Sequence, residues 1–388
     1  MLENKKPKIL IPYIEAGMGH IVTAEAIANA LEEKWGDKCL VMREYIFRDS
    51  DNPVLPKYEK FLIEQVRGYS KFPGLGNLEM AAMHIIGSKN TLKLMHYTSF
   101  RKATLATIEE YAKYEPDVIV ATHYFTAFSA VEYRNKYDKS CKVALYCPDN
   151  NVHGWWDNRV DMLFTNNHLA TADALKYKFP KDRVREVFYP TRPAVTEANG
   201  NKEEYREKFG IPKEKFAVVV ADGVYAKAKA KQVTEELLRS KLPLTVCLLA
   251  GKNEKLKAKF EAKKAKLPEN ITLLTFGFLS DAPKLYGACD LFVTKAGPNA
   301  VLDSVMMGTP IIIDYYATPI EKATKKLFID HRKCGYYISH IRNIRRAVEE
   351  LSCDSDRMRR LQRNLSYFDK TKNGASDIAD GIAQMLGI

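Results

Sequence analysis

The chain has 388 residues, more than one hydrophobic core usually supports, so two domains of ordinary size are expected. Hydrophobic residues make up 46% and charged residues 28%, which excludes a disordered or fibrous chain. Lysine and arginine outnumber aspartate and glutamate by 60 to 48, and the formal net charge of +12 calls for an anionic partner.

The opening Met-Leu-Glu-Asn-Lys-Lys-Pro-Lys runs into a strand without the apolar stretch of a secretory signal. No run approaches the ~18 unbroken apolar residues that a membrane-spanning helix needs. A cytoplasmic protein is expected. Apolar runs at Lys8 to Tyr13, Cys39 to Tyr45, Asp117 to Ala121 and Lys142 to Cys147, with a weaker one at Asp161 to Thr165, alternate with helix-period segments. That alternation predicts a parallel, doubly wound sheet. Between Tyr58 and Tyr97 the pattern changes, and Lys71-Phe72-Pro73-Gly74-Leu75-Gly76 separates two segments rich in Leu, Met, Ile and aromatic residues. This stretch reads as an insertion.

Proline, glycine and asparagine gather from Pro190 to Asn201, as in an interdomain connection. The expected boundaries are a first domain over 1–193, a linker over 194–204, a second domain over 205–370 and a terminal helix over 371–388 that braces the first domain. The second half repeats the alternation at Phe216 to Ala221, Leu244 to Leu249, Ile271 to Thr275, Leu291 to Thr294 and Pro310 to Asp314. Lysines and small residues from Lys252 to Lys266 read as one helix with a solvated basic face. Seven cysteines without a CxxC pair, among them Cys141, Cys147, Cys247 and Cys289, read as buried free thiols.

Chemistry gathers where strands end. The first strand leads through Gly17-Met18-Gly19-His20 into a helix, and glycines there let backbone amides approach a ligand, although a plain tight turn uses the same residues. His20 stands where open α/β sheets bind ligands and a base would serve. His123 follows another strand on the same edge, and a third ends in Tyr146-Cys147-Pro148-Asp149, with His153 and Trp155-Trp156 close behind. In the second half, Lys295-Ala296-Gly297-Pro298-Asn299 joins a strand to a helix whose amides and dipole suit a diphosphate. Asp303 is read within the first helical turns as an acceptor for ribose hydroxyls, and Glu321 opens a further helix where a sugar's hydroxyls are held. The Asp-Ser-Asp strings at Asp49 and Asp354 are read as non-metal features, the second as a helix cap.

These residues resemble the family 28 glycosyltransferases, in particular the lipid-glycosylating branch of monogalactosyldiacylglycerol synthases and processive diacylglycerol glucosyltransferases. The Gly-x-Gly-His turn is similar to the family's, and Asp149, His153 and Trp156 stand in register with its T-D-x-x-x-H-x-x-W. Tyr189-Pro190-Thr191-Arg192-Pro193 resembles G-I-P-V-R-P, Leu249-Ala250-Gly251-Lys252-Asn253 resembles C-G-[KR]-N, Phe276-Gly277-Phe278 a G-[FW] turn, and Lys295 to Pro298 a K-x-G-P. The resemblance implies a GT-B fold, two Rossmann-like domains with parallel sheets facing a central cleft. It also implies metal-independent, inverting transfer from a UDP-sugar, used as a substrate with no cofactor, to a diacylglycerol-like lipid. His20 would be the base, and His123, Asp149, His153 and Trp156 would form the acceptor side. Gly17, Gly19, Arg192, Gly223, Gly251, Lys252, Asn253, Phe278, Gly297, Pro298, Asn299, Asp303 and Glu321 would form the donor side.

The insertion would face lipid, and the basic surface would dock on an anionic membrane, peripherally on its inner face. No helix-turn-helix, zinc-finger or RNP-like signature points to nucleic acid. One segment departs from the family. Val220-Ala221-Asp222-Gly223-Val224-Tyr225 has a single glycine and an added carboxylate, which must turn from a diphosphate or pair with Lys227 or Lys229. Ile320 also replaces the family's glutamine. Two readings therefore stay open beside the transferase: a nucleotide-sugar epimerase, and a non-catalytic nucleotide or lipid binder.

Overall fold

The computed structural model describes residues 6–15, 18–71, 88–223, 228–316 and 319–388. The chain divides into two compact units, one of Met1–Arg192, Thr318–Ile320 and Lys372–Ile388, the other of Pro193–Ala317 and Glu321–Thr371.

Unit 1 is a six-stranded parallel sheet in the order β2-β1-β3-β4-β5-β6. Its strands are β1 (Lys8–Pro12), β2 (Leu40–Glu44), β3 (Val118–Ala121), β4 (Lys142–Tyr146), β5 (Met162–Thr165) and β6 (Val184–Glu186). Ile9, Leu10, Ile11, Val118 and Ile119 are fully buried, because helices cover both faces of an all-parallel sheet and leave no polar side. The helices are α1 (Met18–Trp35), α2 (Val54–Lys71), α3 (Ser88–Tyr97), α4 (Arg101–Tyr114), α5 (Tyr124–Lys136) and α6 (His168–Lys176). The segment read as an insertion thus contains most of α2 and all of α3, while 72–87 lies outside the described residues.

Unit 2 repeats the design in the order β12-β11-β10-β7-β8-β9. The strands are β7 (Phe216–Ala221), β8 (Leu244–Leu249), β9 (Ile271–Phe276), β10 (Leu291–Thr294), β11 (Ile311–Ile313) and β12 (Gly335–Tyr337). Its main helices are α7 (Lys202–Phe209), α8 (Ala228–Leu237), α9 (Glu254–Glu261), α10 (Ala282–Ala288), α11 (Pro298–Met306), α12 (Ile341–Cys353) and α13 (Ser355–Leu365). Edge strands β6 and β12 went unread in the sequence, since Val-Arg-Glu and Gly-Tyr-Tyr, partly exposed at the sheet edges, make no apolar run like the Ile-Ile-Ile of the equally short β11. The basic stretch from 252 is not one helix. After α9 it continues as a 3-10 turn at Lys264–Lys266. Asp354 caps α13, accepting from the Arg357 amide at 2.8 Å. Six cysteines are buried free thiols, and Cys353 is the exposed exception.

The chain's last helix, α14 (Gly374–Leu386), packs within unit 1 on α1. Small residues make this possible: Ala24, Ala28 and Ala379 are fully buried among Ile27, Leu31, Ile378 and Ile382. Lys34 reaches Asp380 at 2.6 Å, and the Trp35 indole donates to the same carboxylate at 3.2 Å. At the helix start, the Gly374 amide donates to the Tyr189 carbonyl, and a Cβ on Gly374 would stand 1.7 Å from the Phe188 carbonyl oxygen. Gly374→Ala is therefore expected to lower stability by roughly 1–3 kcal/mol, as overpacking against backbone does. A denaturant midpoint unchanged from wild type would show that α14 docks without this contact.

Candidate active site

In unit 1 the chain leaves β1 toward β2 on one side and returns to β3 on the other. The winding therefore reverses between β1 and β3, where the loops part and open α/β sheets bind ligands. His20, in the first turn of α1, and Thr122 and His123, directly after β3, meet at this point. His20 Nδ1 lies 2.7 Å from the Thr122 carbonyl oxygen. A carbonyl only accepts, so Nδ1 carries the proton and Nε2 keeps its lone pair. The Thr122 hydroxyl donates back to the His20 carbonyl at 3.0 Å, which fixes both residues. Burial lowers the His20 pKa, opposed by the Asp149 carboxylate and the Thr122 carbonyl.

The His123 ring stands edge-on to His20 with centroids 4.7 Å apart. Its Nδ1 accepts from the Phe125 amide at 3.2 Å and caps α5. Burial, followed by the neighbouring imidazoles of His20, His96 and His153, holds its pKa well below the ordinary value. His123 is thus a neutral helix cap and a wall for His20.

Asp149 follows β4 on a loop pinned from behind. Asn166 Nδ2 reaches the carbonyls of Cys147 and Asp149 at 3.3 and 3.2 Å, and the Tyr189 hydroxyl donates to Asn150 at 3.3 Å. Asp149 Oδ2 lies 3.7 Å from His153 Nε2, within ion-pair range but too long for a hydrogen bond. Trp156 is buried edge-on to Tyr124, and among the described residues its indole nitrogen has no partner. Gly19 sits in the first turn of α1, its carbonyl accepting from Thr23, while Gly17 lies outside the described residues. The structure thus gathers His20, His123 and Asp149, with His153 beside Asp149. One neighbour went unread in the sequence. His96 stacks on Phe128 at 3.8 Å, shares a 2.8 Å hydrogen bond with Thr104, and is pushed down to about 3 by burial and Arg159. Nothing in its sequence position, inside a segment read as an insertion, marked it.

In unit 2 the winding reverses between β7 and β10. Ala221 pairs with Thr294, and Thr294 with Ile313, so Asp222, Lys295 and Asp314 follow in one row across three strand ends. The Lys295 amine is ion-paired with Glu321. Its stem lies beside two glycines, 3.5 Å from a Cβ built on Gly297 and 3.8 Å from one on Gly223. Gly223 has φ +73°, a conformation that strains any side chain, which explains the one glycine kept in that loop. Gly297 caps α11 without a side-chain acceptor, and Pro298 opens the helix. The first-turn amides at Asn299 and Ala300 thus have no intrahelical partner, and the dipole's positive end lies beside Lys295. Burial works against the charge on Lys295, yet Glu321 and Asp222 hold its pKa above the ordinary value.

Asp303 lies within the first two turns of α11, which starts at Pro298, and it is buried there. Asp222 accepts from the Tyr315 hydroxyl and adds to the field on Lys295, while Lys229 donates to the Ser339 carbonyl at 2.9 Å. Lys227 lies outside the described residues. Asp314 and Tyr315 were missed, although the rule that found Asp149, an ionisable group just past a parallel strand, applies to them too. The remaining donor-side residues spread over other strand ends. Gly251, φ +57°, and Lys252 follow β8, and the Lys252 amine lies 5.8 Å from the ring centre of exposed Phe278 beyond β9. The Asn253 side chain caps α9 by accepting from Leu256. Arg192 ends unit 1, half-buried.

Residues 201–364 match the family model of glycosyl transferases group 1. Over 371 residues the chain is 24% identical to a probable chloroplastic monogalactosyldiacylglycerol synthase of Glycine max, covering 90% of this chain and 66% of the relative. It thus spans slightly less than two thirds of that protein's length. It is 21% identical to a processive diacylglycerol beta-glucosyltransferase of Bacillus licheniformis, covering 98% of this chain and 96% of the other. The chain has the GT-B fold and carries a glycosyltransferase domain. Among solved structures, Acinetobacter baumannii MurG superposes with TM-score 0.62 at 13% identity, covering 97% of this chain and 100% of its own. A Neisseria meningitidis UDP-GlcNAc 2-epimerase bound to UDP-GlcNAc gives 0.60 at 11%, covering 98% and 99%. At such identities the likeness is one of fold alone.

His96 and His123 are neutral in the folded chain, whereas unfolded imidazoles take up protons below about pH 6.5. Their folded pKa values are depressed, so the stability they contribute is present above that pH and lost as pH falls through and below it. The melting temperature should drop as pH goes from 7 to 5, and His96→Phe should flatten part of that drop. Equal slopes in both proteins would exclude His96 as a source.

Proposed function

We propose that the protein is an inverting, metal-independent transferase that moves a hexose from a UDP-sugar to a lipid acceptor of the diacylglycerol class. The observation that carries the reading is the His20 imidazole, locked by the Thr122 carbonyl into the tautomer that leaves Nε2 basic at the β1/β3 reversal. In the step, the acceptor oxygen bonds to the anomeric carbon and the glycosyl bond to the diphosphate breaks. His20 Nε2 takes the hydroxyl proton, and Asp149 stabilises the imidazolium so formed. The departing UDP carries the negative charge, which the α11 N-terminus and Lys295 are suited to meet. His153 and Trp156 would orient the acceptor, while Asp303 and Glu321 would hold the ribose and sugar.

A lipid acceptor is supported by the names of the two relatives and by the helices of unit 1. Phe61 on α2, Leu94 and Tyr97 on α3 and Leu105 on α4 are exposed, along with Lys57, Lys60, Lys93, Arg101 and Lys102. Apolar side chains among cations are what an interfacial surface presents to anionic lipid. An inner-face peripheral location follows from that reading, and no described helix is long and apolar enough to cross a membrane.

His20→Ala should lower turnover by roughly a hundredfold or more while UDP binding stays within about twofold. Near-normal turnover would remove His20 as the base. Co-sedimentation with liposomes should require anionic lipid, weaken with salt, and fall in Phe61→Asp and Leu94→Asp. Salt-insensitive binding, or none, would count against membrane docking.

A further inference from the structure

Unit 2 holds more acid at its strand ends than a diphosphate subsite calls for. Lys295 is engaged by Glu321, and Asp222 and Asp314 flank it on the neighbouring strands. Adjacent strands stand ~4.8 Å apart, so carboxyls two strands apart have Cα atoms roughly 10 Å from each other. Both are almost fully buried, where charges interact far more strongly than in water. With all three carboxyls ionised, Lys295 and the more distant Lys229 would leave the described cluster net negative, which repels a donor that is itself an anion.

The structure offers a resolution. Asp222 already accepts from the Tyr315 hydroxyl. Asp314 is only 3% exposed, and among the described residues its Oδ1 has no hydrogen-bond partner. A buried polar atom left unmatched is costly, and a ligand oxygen would satisfy it if that carboxyl carried a proton. Among the described residues the groups facing it supply little counter-charge: Lys295 is paired with Glu321, Tyr337 on β12 is neutral, and the Lys229 ammonium, held at the Ser339 carbonyl, acts on the carboxyl only from outside hydrogen-bond contact. Burial and then the Asp222 charge push the Asp314 carboxyl up to about 7, opposed by Lys229.

We propose that Asp222 and Asp314 carry one proton between them, and that the protonated carboxyl of Asp314 is a donor-binding group, hydrogen-bonding an oxygen of the nucleoside-diphosphate sugar. This rests on the assignment of the donor site to unit 2. Donor binding then needs that proton, and the subsite turns repulsive once it is lost.

Calorimetric titration of the whole chain with UDP-glucose and UDP-galactose tests this. Neither probe has a group of its own that titrates between pH 5.5 and 8.5. From pH 6.5 to 8.5 the wild-type affinity should fall by about tenfold or more, as the competent fraction of a group titrating near 7 does. Buffers of different ionisation enthalpy should show close to one proton taken up per donor bound at pH 8.5 and almost none at pH 5.5. Asp314→Asn, which keeps a hydrogen-bond donor, should bind with an affinity flat to within about twofold. Wild-type binding without pH dependence and without proton uptake would overturn the proposal and leave the donor site standing. An unchanged pH profile in Asp314→Asn would equally overturn it. Binding of neither sugar nucleotide at any pH would remove the donor-site reading, and this proposal with it.

Discussion

Each sheet is parallel throughout and wound in both directions from one central strand, and the chemistry of both units follows from that constraint. A parallel sheet sends every connection back across a face, so the carboxyl ends of its strands share one edge. Where the winding reverses, adjacent connections leave in opposite directions and no crossover covers the gap. The reversal falls between β1 and β3 in one unit and between β7 and β10 in the other. His20 and Thr122 flank the first, and Asp222 and Lys295 flank the second.

The two edges solve opposite electrostatic problems with the same burial. Burial favours the neutral imidazoles of His20 and His123, because a buried cation is costly. The one carboxylate felt there, Asp149, is held on a loop whose carbonyls are tied to Asn166. A lone pair at His20 and a fixed negative charge nearby suit proton removal. Around Lys295 the charge is retained because Glu321 is in contact with it. Amides at the start of α11 add positive potential without another side chain. The Asp222 and Asp314 carboxyls oppose that potential, and the hydroxyl of Tyr315 offsets one of them.

Much of this was legible in the chain. Ten of the twelve described strands coincide with apolar runs, most of them because a strand covered on both faces carries few polar side chains. His20, His123 and Asp149 were legible because each stands just beyond such a run. The edge strands β6 and β12 were not, as Val-Arg-Glu and Gly-Tyr-Tyr carry no apolar run. His123 shows the limit of positional reasoning: it reached the right edge of the sheet, yet its nitrogen serves the Phe125 amide. Asp303 shows another: its place in the early turns of α11 was legible, but its burial came only with the fold.

The sequence by itself determined the architecture and the edge on which ionisable groups would collect, because apolar runs and the glycines after them are local properties. Tertiary structure alone decided which proton each group holds. The His20 tautomer is set by a backbone carbonyl 102 residues away, which has no side-chain signature in any sequence. The Asp314 carboxyl is pushed up first by burial and then by Asp222, two strands across in the sheet and 92 positions back in the chain. Protonation depends on burial and on neighbours brought together by folding, and neither is written in the order of the residues.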